Sequence, residues 1–506
     1  MLADGFQSFR ALHRNARLYL LSNIPQAMTA GALGVLYTLY LTALGYGTDF
    51  IGVVAVVGTI GAGLGILPAN RLVARLGWRA TLIWSDVIGG IAIAAQLVAP
   101  TRPVIVVTTL GIGASVALVL VVNTPLLAAF SAPEQRTALF GLNNALVFLA
   151  TVVGSLLGGF LPGFFLRPGV RASAVFQLFT PLLVSGSQAQ AYELALIVTG
   201  VIALPSIVPV LLMTNRVGEG GERNAEDAEG RGEGGRGEGR AGEEGASSAA
   251  SSPRRRTSRP RALQREPSRL QPLGAGAEVV AERGAVERER LPWQVRVAPR
   301  LRELRVLASG VIGRFAVTQG LVGFGAGIFF PYVNLYFVNR LGASTEFYGA
   351  LSALLSVVVA AASLAAVPLA RHFGTLRAAI VAQLVSLPCL LAIGAIPVLA
   401  VASVVYLLRG GLMATTSPPL QSYLMEAVPA EQRVPASSAY NVSFQVCWAL
   451  GAGFGGWLIT LAGYRAPFLA AVPFYALSAV LLIVWFGGKR LRMPQRLAAG
   501  TEGSNG

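Results

Sequence analysis

The fold class this sequence predicts is an all-α membrane protein, with twelve transmembrane helices in two pseudo-symmetric six-helix bundles. Three observations lead there. The chain is 54% hydrophobic and only 13% charged over 506 residues, with a mean hydropathy of +0.61. It holds twelve apolar stretches of the length, roughly 20 residues, that a helix needs to cross ~30 Å of hydrocarbon. Its second half also repeats the first at a constant offset of 297 residues. Leu44-Gly45, Thr48, Phe50 and Gly52 recur as Leu341-Gly342, Thr345, Phe347 and Gly349. Gly77 recurs as Gly374, Glu134-Gln135-Arg136 as Glu431-Gln432-Arg433, and Gly154, Gly158, Gly159 as Gly451, Gly455, Gly456. Shared composition does not keep one offset in register for so long; two copies of one folding unit do.

The apolar stretches of the first copy run over 18–44, 50–70, 80–99, 104–130, 137–163 and 190–214. Those of the second run over 308–338, 347–370, 377–396, 398–425, 434–461 and 466–487. The chain therefore divides into a first bundle (1–216), a linker (217–300), a second bundle (301–490) and a tail (491–506). Before the first stretch, Phe6 to Arg17 is basic and mildly amphipathic, without the pattern of a cleavable leader. Arginines gather at alternate segment ends: Arg10, Arg14, Arg17; Arg71, Arg75, Arg79; and Arg490, Arg492, Arg496 with Lys489. The positive-inside rule puts those ends and both termini in the cytoplasm, in a multi-pass protein of the plasma membrane. The loop 164–190 is long and partly apolar, suited to lying on the membrane face or capping an entrance.

Of the 24 acids, 15 fall between Glu219 and Glu303. This Gly-, Glu- and Ser-rich run cannot bury a core and reads as a disordered tether. The basic block that follows, Pro253 to Arg265, could rest on anionic lipid. Short surface helices are expected over 278–289 and 301–306.

Composition excludes several function classes. The net charge of +16 belongs to membrane topology, so nucleic acid is not an expected partner. Cys389 and Cys447 lie in apolar segments and the chain has two histidines, so no disulfide framework, metal or cofactor is expected. No phosphate-binding G-x-x-x-x-G-K-S/T run occurs, and no nucleophile cluster suggests an enzyme.

Two motifs carry a resemblance. Between the second and third stretches stands Asn70-Arg71-Leu72-Val73-Ala74-Arg75-Leu76-Gly77-Trp78-Arg79, with a degraded copy, Pro368 to Gly374, in the second half. In the fifth stretch, Gly141, Ala150, Gly154, Ser155, Gly158 and Gly159 form a small-residue pattern that the eleventh repeats. Such residues four apart let helices approach closely. With the twelve stretches and the central linker, these resemble the major facilitator superfamily, over nearly the whole chain outside the linker. The family's loop signature reads Gly-Arg-Leu-x-Asp-Arg-x-Gly-Arg-Arg/Lys. Ala74 replaces its Asp, Asn70 its first Gly and Trp78 its penultimate Arg. The glycine pattern is similar to that of the family's proton-coupled drug antiporters, with Ala150 for a Gly and Ser155 for a Pro.

The resemblance implies a conformational switch in the loops, which here would use Arg71, Arg75, Gly77, Arg79, Arg136, Gly374 and Arg433. Glu134 or Glu431 would stand in for the missing acid. The plainer reading of the basic residues is loop anchorage. In the family's proton antiporters an Arg precedes the Gly111-Ile112-Gly113-Ala114 type of run; here that position is near Val107.

The charge that stands out instead is Arg409, deep in the tenth stretch. A buried Arg costs at least ~2.5–3.5 kcal/mol and should face a wet cavity or a counter-ion. It is the leading substrate anchor, against a structural role. Asp86 reads as the only acid well inside the first bundle and is a candidate proton carrier, with Glu426 the second coupling candidate. Glu426 is also placed to pair with Arg433 or Arg377. The family's pore helices add Gln26, Tyr37, Asn123, Gln319, Asn334, Tyr406 and Gln445 as cargo contacts. Amide and aromatic groups on an aliphatic wall suit an amphiphilic organic molecule.

The function expected is secondary active transport by alternating access, exporting an amphiphilic small molecule, with protons as candidate coupling ion. The partners are the lipid bilayer and the cargo, and the protein is expected to act as a monomer. One alternative is an importer or facilitator of a small organic anion using Arg409. The other is a transport-inactive sensor or scaffold, in which the linker would be the working part.

Overall fold

Alternating stretches of aliphatic residues with internal glycines leave the backbone one way to satisfy its polar groups in hydrocarbon, the α-helix. A computed structural model describes residues 13–130, 136–173, 177, 183–184, 186–213, 310–429 and 432–487. The linker, the short helices expected over 278–289 and 301–306, the tail, Glu134, Glu431 and much of the loop 164–190 lie outside the described residues.

Among the described residues eleven helices are long and apolar enough to span a bilayer. In chain order they are α2 (Thr48–Ile66), α3 (Arg71–Val98), α4 (Arg102–Ala129), α5 (Arg136–Phe165) and α6 (Ser187–Leu211) in the first half. The second half has α7 (Val311–Arg340), α8 (Thr345–Phe373), α9 (Thr375–Ala395), α10 (Leu399–Ala427), α11 (Arg433–Ala462) and α12 (Ala466–Phe486). The twelfth is α1 (Arg14–Ala43), 30 residues long. It is less apolar because Asn15, Arg17, Asn23, Gln26 and Tyr37 lie along it. Both halves, Met1–Val217 and Leu307–Gly506, belong to one compact unit.

The repeat seen in the sequence reappears in the backbone. Gly77 makes a non-helical corner near the start of α3, with φ +79°, and its counterpart Gly374 joins α8 to α9 with φ +87°. Only glycine turns that corner without strain, so this loop glycine is required by geometry in both halves. Asp49 and Glu346, also counterparts, sit in the first turns of α2 and α8, where a carboxylate faces the positive helix end. The halves differ in regularity. A 3₁₀ turn at Phe330–Tyr332, opened by Pro331, and a π turn at Tyr336–Arg340 interrupt α7. In α10 the helix breaks at Thr415–Thr416, ahead of Pro418-Pro419.

Glycines set how the helices meet. A Cβ on Gly154 would fall 1.9 Å from the Met28 carbonyl, and one on Gly158 2.9 Å from Ala32 Cα, so α5 lies directly on α1. Gly451 and Gly455 do the same for α11 on α7, at 2.2 Å from the Phe324 carbonyl and 1.9 Å from the Ile328 carbonyl. The remaining glycines join the halves. A Cβ on Gly159 would meet the Thr345 carbonyl at 2.8 Å; one on Gly456 would meet the Thr48 carbonyl at 2.2 Å. Reciprocally, Gly349 abuts the Ser155 carbonyl and Gly52 the Ala452 carbonyl. These α5–α8 and α2–α11 seams are related by the 297-residue offset, position for position.

Both seams lie at the arginine-poor ends of their helices. Hydrogen bonds reinforce that end: Thr48 Oγ1 donates to the Gly456 carbonyl at 3.0 Å, and Tyr332 Oη to the Ala452 carbonyl at 2.6 Å. Toward the arginine-rich ends the same helices are open. Gly63 and Gly141 have space where a Cβ would stand, and Leu149 and Leu364 are 63% and 78% exposed. Asn144, Asn441 and Gln445 are exposed there too, although amides are costly against lipid. Together these mark a cleft between the halves that is closed at one end and open at the other.

Candidate functional site

The first half concentrates polar side chains where α1 meets its neighbours. Gln26 on α1 donates its Nε2 to Asp86 Oδ1 on α3, 2.9 Å away, while Asp86 Oδ2 is buried without a partner. Three residues earlier on α1, Asn23 donates to Asn143 Oδ1 on α5 at 2.7 Å. Asn123 on α4 is half-buried and its Oδ1 has no partner. Further toward the closed end, Tyr37 Oη donates to Gln96 Oε1 at 3.0 Å. Gln96 in turn donates to Thr108 and Thr109 hydroxyls on α4, at 2.8 and 3.1 Å. Tyr37 is thus one arm of a buried cluster tying α1, α3 and α4 together.

Among its described residues the second half holds one buried cation. Arg409 on α10 is 6% exposed, and its guanidinium lies over the Phe329 ring at 4.6 Å and the Tyr475 ring at 4.9 Å. These rings belong to α7 and α12, so Arg409 points into its own half. Among the described residues its Nε and Nη2 have no hydrogen-bond partner. The two faces supply cation–π attraction, which partly replaces the missing counter-ion. At the position equivalent to Asp86, Gln383 donates to the Tyr475 carbonyl at 2.9 Å and so helps hold the ring that covers Arg409.

The other expected cargo contacts are dispersed. Tyr406 packs on Phe337, ring to ring at 5.6 Å, within the aromatic core of the second half. Asn334 donates to the Val35 carbonyl and to Thr38 Oγ1, a bridge from α7 to α1 at the closed end. Gln319 is buried and Gln445 exposed. Glu426 is exposed at the arginine-rich end of α10, and Arg433 donates its Nε to the Met425 carbonyl at 3.1 Å rather than to that carboxylate.

In the loop motif Arg71 and Arg75 are exposed and Arg79 is half-buried. Trp78 packs toward Phe130, whose ring stacks on His13 at 4.9 Å. Burial, then the nearby Arg17, holds the His13 imidazole below its ordinary pKa, so its Nδ1 is free to accept the Asn15 N–H at 3.2 Å and cap α1. Arg136 begins α5, with its side chain outside the described residues.

One expectation is corrected. Asp86 is not the only acid well inside the first half: Glu193 on α6 is 2% exposed and accepts the Val184 N–H at 2.9 Å. It lies within two turns of the start of α6 and closes over a loop, which is why it reads as a loop-side acid in the sequence. Gln96 was also missed, since a single amide in an aliphatic helix gives no sign of what it faces.

The twin bundles, the seams and the cleft define a membrane transporter rather than an enzyme. The Major Facilitator Superfamily profile matches residues 19–272 and 315–503, and the chain belongs to that family. Solved structures agree in fold. A bacterial homologue of the human lysosomal transporter Spinster, inward-facing and occupied, superposes with TM-score 0.64 at 12% identity, covering 93% of this chain and 95% of that one. A bacterial homologue of the iron transporter ferroportin, inward-facing, gives 0.61 at 13%, covering 93% and 98%. A D-xylose–proton symporter gives 0.56 at 15%, covering 93% and 95%. No curated protein sequence matches the chain.

Proposed function

We propose that the chain is a secondary active transporter that works by alternating access and exports an amphiphilic small molecule in exchange for protons. The observation that carries this reading is the pair of offset-related seams that close the cleft at one end only. With the arginine-rich ends in the cytoplasm of a plasma-membrane protein, both termini inside, the cleft faces inward. Rocking the halves apart at Gly159–Gly349 and Gly52–Gly456 would open it outward. The repeated backbone provides two similarly hinged bodies for such a motion.

Asp86 is the proposed proton carrier. Its carboxylate has one oxygen held by Gln26 and one unspent, so it can gain or lose a proton without losing its hydrogen bond from α1. Gln26 and Asn123 would meet the cargo on the first side, and Gln445 on the second. The glycine pattern in α5 and the largely aliphatic cleft wall favour export of an amphiphile. No cofactor is needed, and a monomer suffices.

Uptake into everted vesicles, with and without a proton gradient, tests the proposal. Gradient-dependent accumulation of an amphiphilic probe is expected; uptake by intact cells alone would sink it. A second reading, an importer or facilitator of a small organic anion, is favoured by the two unspent Arg409 nitrogens. Under it, Arg409 would leave its aromatic slot to meet the anion, and a carboxylated probe would enter intact cells.

A further inference from the structure

A groove of about 510 Å³ runs along α7 outside the cleft, bounded by α11 and α12. Its floor is Gly313, Ala316, Val317 and Gly320; Ser443 and Cys447 form one wall, and Phe324 with Phe474 close the far end. That volume is within the ~300–1,000 Å³ range of small-ligand sites. The groove offers a ligand no free polar group. Its one hydroxyl, Ser443 Oγ, already donates to the Ala316 carbonyl at 2.5 Å. The Phe324 ring packs on Phe474 at 4.7 Å and on Phe454 at 5.9 Å, stopping the groove near the middle of α7.

The repeat does not produce this groove. The counterparts of Ala316 and Gly320 in α1 are Tyr19 and Asn23, and they fill the equivalent space: Tyr19 is 2% exposed and Asn23 is bonded to Asn143. In the second half Ala316 and Gly320 leave that space empty. Its length is also particular. Gly313 to Phe324 spans roughly 16 Å at 1.5 Å per residue, close to half of a ~30 Å hydrocarbon core. At its open end Arg314 is exposed and shares a helical stripe with Val317 and Leu321, three and seven positions on. Val317 itself is 49% exposed, so the groove opens at the surface.

We infer that this groove holds one acyl chain of an anionic phospholipid from the leaflet at the arginine-rich ends, with the headgroup phosphate at Arg314. The chain's length matches one leaflet, the lining matches hydrocarbon, and the cation stands where a phosphate would be.

Cys447 gives a direct readout. The full chain, purified and stripped of lipid in detergent, is treated with N-ethylmaleimide, and modification is read peptide by peptide, with buried Cys389 as internal control. Phosphatidylglycerol is expected to slow Cys447 labelling about fivefold or more, phosphatidylcholine with the same chains distinctly less, and glycerol phosphate not at all. Arg314→Gln should make the two lipids equivalent. Val317→Phe should slow labelling without lipid and remove the lipid effect; Ala316→Val serves the same purpose if that variant does not fold. An unchanged Cys447 rate with phosphatidylglycerol overturns the inference. So does equal protection by both lipids in the unaltered protein, protection by glycerol phosphate alone, or protection only by an alkylated cargo molecule.

Discussion

The two halves share a backbone plan and differ in what they bury. Glycines at equivalent positions set α5 on α1 and α11 on α7, and equivalent carbonyls receive Gly159 and Gly456 across the seams. Inside that common frame the first half buries an acid among amides, Asp86 with Gln26, while the second buries a cation among rings, Arg409 with Phe329 and Tyr475. Packing is conserved by the duplication because a close backbone approach tolerates no side chain. Charge is not, because one ionisable group in hydrocarbon is costly enough to be kept only where it has a task. Movement is thereby separable from chemistry: the seams serve both halves alike, whereas the proposed proton carrier belongs to the first half alone.

The largest difference between the halves is expected at Asp86. Asp86→Asn keeps an acceptor for Gln26 but cannot titrate. On the proposed reading it abolishes gradient-driven accumulation in everted vesicles while leaving cargo exchange at equilibrium within about twofold. Loss of both together would make Asp86 a folding residue and remove the division of labour.

The seams come next. Gly159→Val and Gly456→Val overpack a backbone contact, at a cost of about 1–3 kcal/mol to the closed end, or roughly 5- to 150-fold in the conformational equilibrium. Both should raise the accessibility of the cleft from the arginine-poor side, measured by labelling of a cysteine introduced at Thr38. Because the seams are counterparts, the two effects should be similar in size. Gly154→Val, within one half, should instead lower the unfolding temperature. A large effect at one seam only would show that the halves do not hinge alike.

Arg409 gives a smaller effect with an opposite sign. A buried Arg costs at least ~2.5–3.5 kcal/mol, and cation–π contacts return about 0.5–2 kcal/mol each. Arg409→Met is therefore expected to stabilise the purified protein by about 1 kcal/mol, read from thermal unfolding. If the same variant lowers transport, the guanidinium is retained for recognition and not for packing. Destabilisation would show that the cation is structural.

Much of this frame was legible in the sequence for physical reasons. Hydrocarbon forces helices, close packing forces small residues into register, and a tight corner forces Gly77 and Gly374. An ionisable residue in an apolar stretch is equally visible, so Asp86 and Arg409 stood out. What could not be read was direction. Arg409 turns toward α7 and α12, and Asn334 spends its amide on α1, because rotation about a helix axis depends on neighbours far away in the chain. Glu193 and Gln96 were missed for the same reason: a polar residue announces its cost but not its partner.

The smallest expected effect tests that last point at one pair of positions. Gln96 and its counterpart Ile393 occupy equivalent sites near the closed end, and a tyrosine of the neighbouring pore helix reaches each. In the first half Tyr37 donates to the Gln96 side chain; in the second, Tyr336 Oη donates to the Ile393 backbone carbonyl at 2.6 Å. Tyr37→Phe leaves Gln96 Oε1 without that donor and should cost about 1 kcal/mol in unfolding free energy. It should leave the KM for cargo unchanged, since the hydroxyl is already spent. Adding Gln96→Leu to Tyr37→Phe removes both partners, and should recover part of that loss, although Thr108 and Thr109 then lose their donor. Tyr336→Phe should cost a similar ~1 kcal/mol, but Ile393→Leu should not relieve it, because the acceptor there is backbone. A several-fold rise in KM for Tyr37→Phe, without a stability change, would instead return that tyrosine to the cargo site with Gln26 and Asn123.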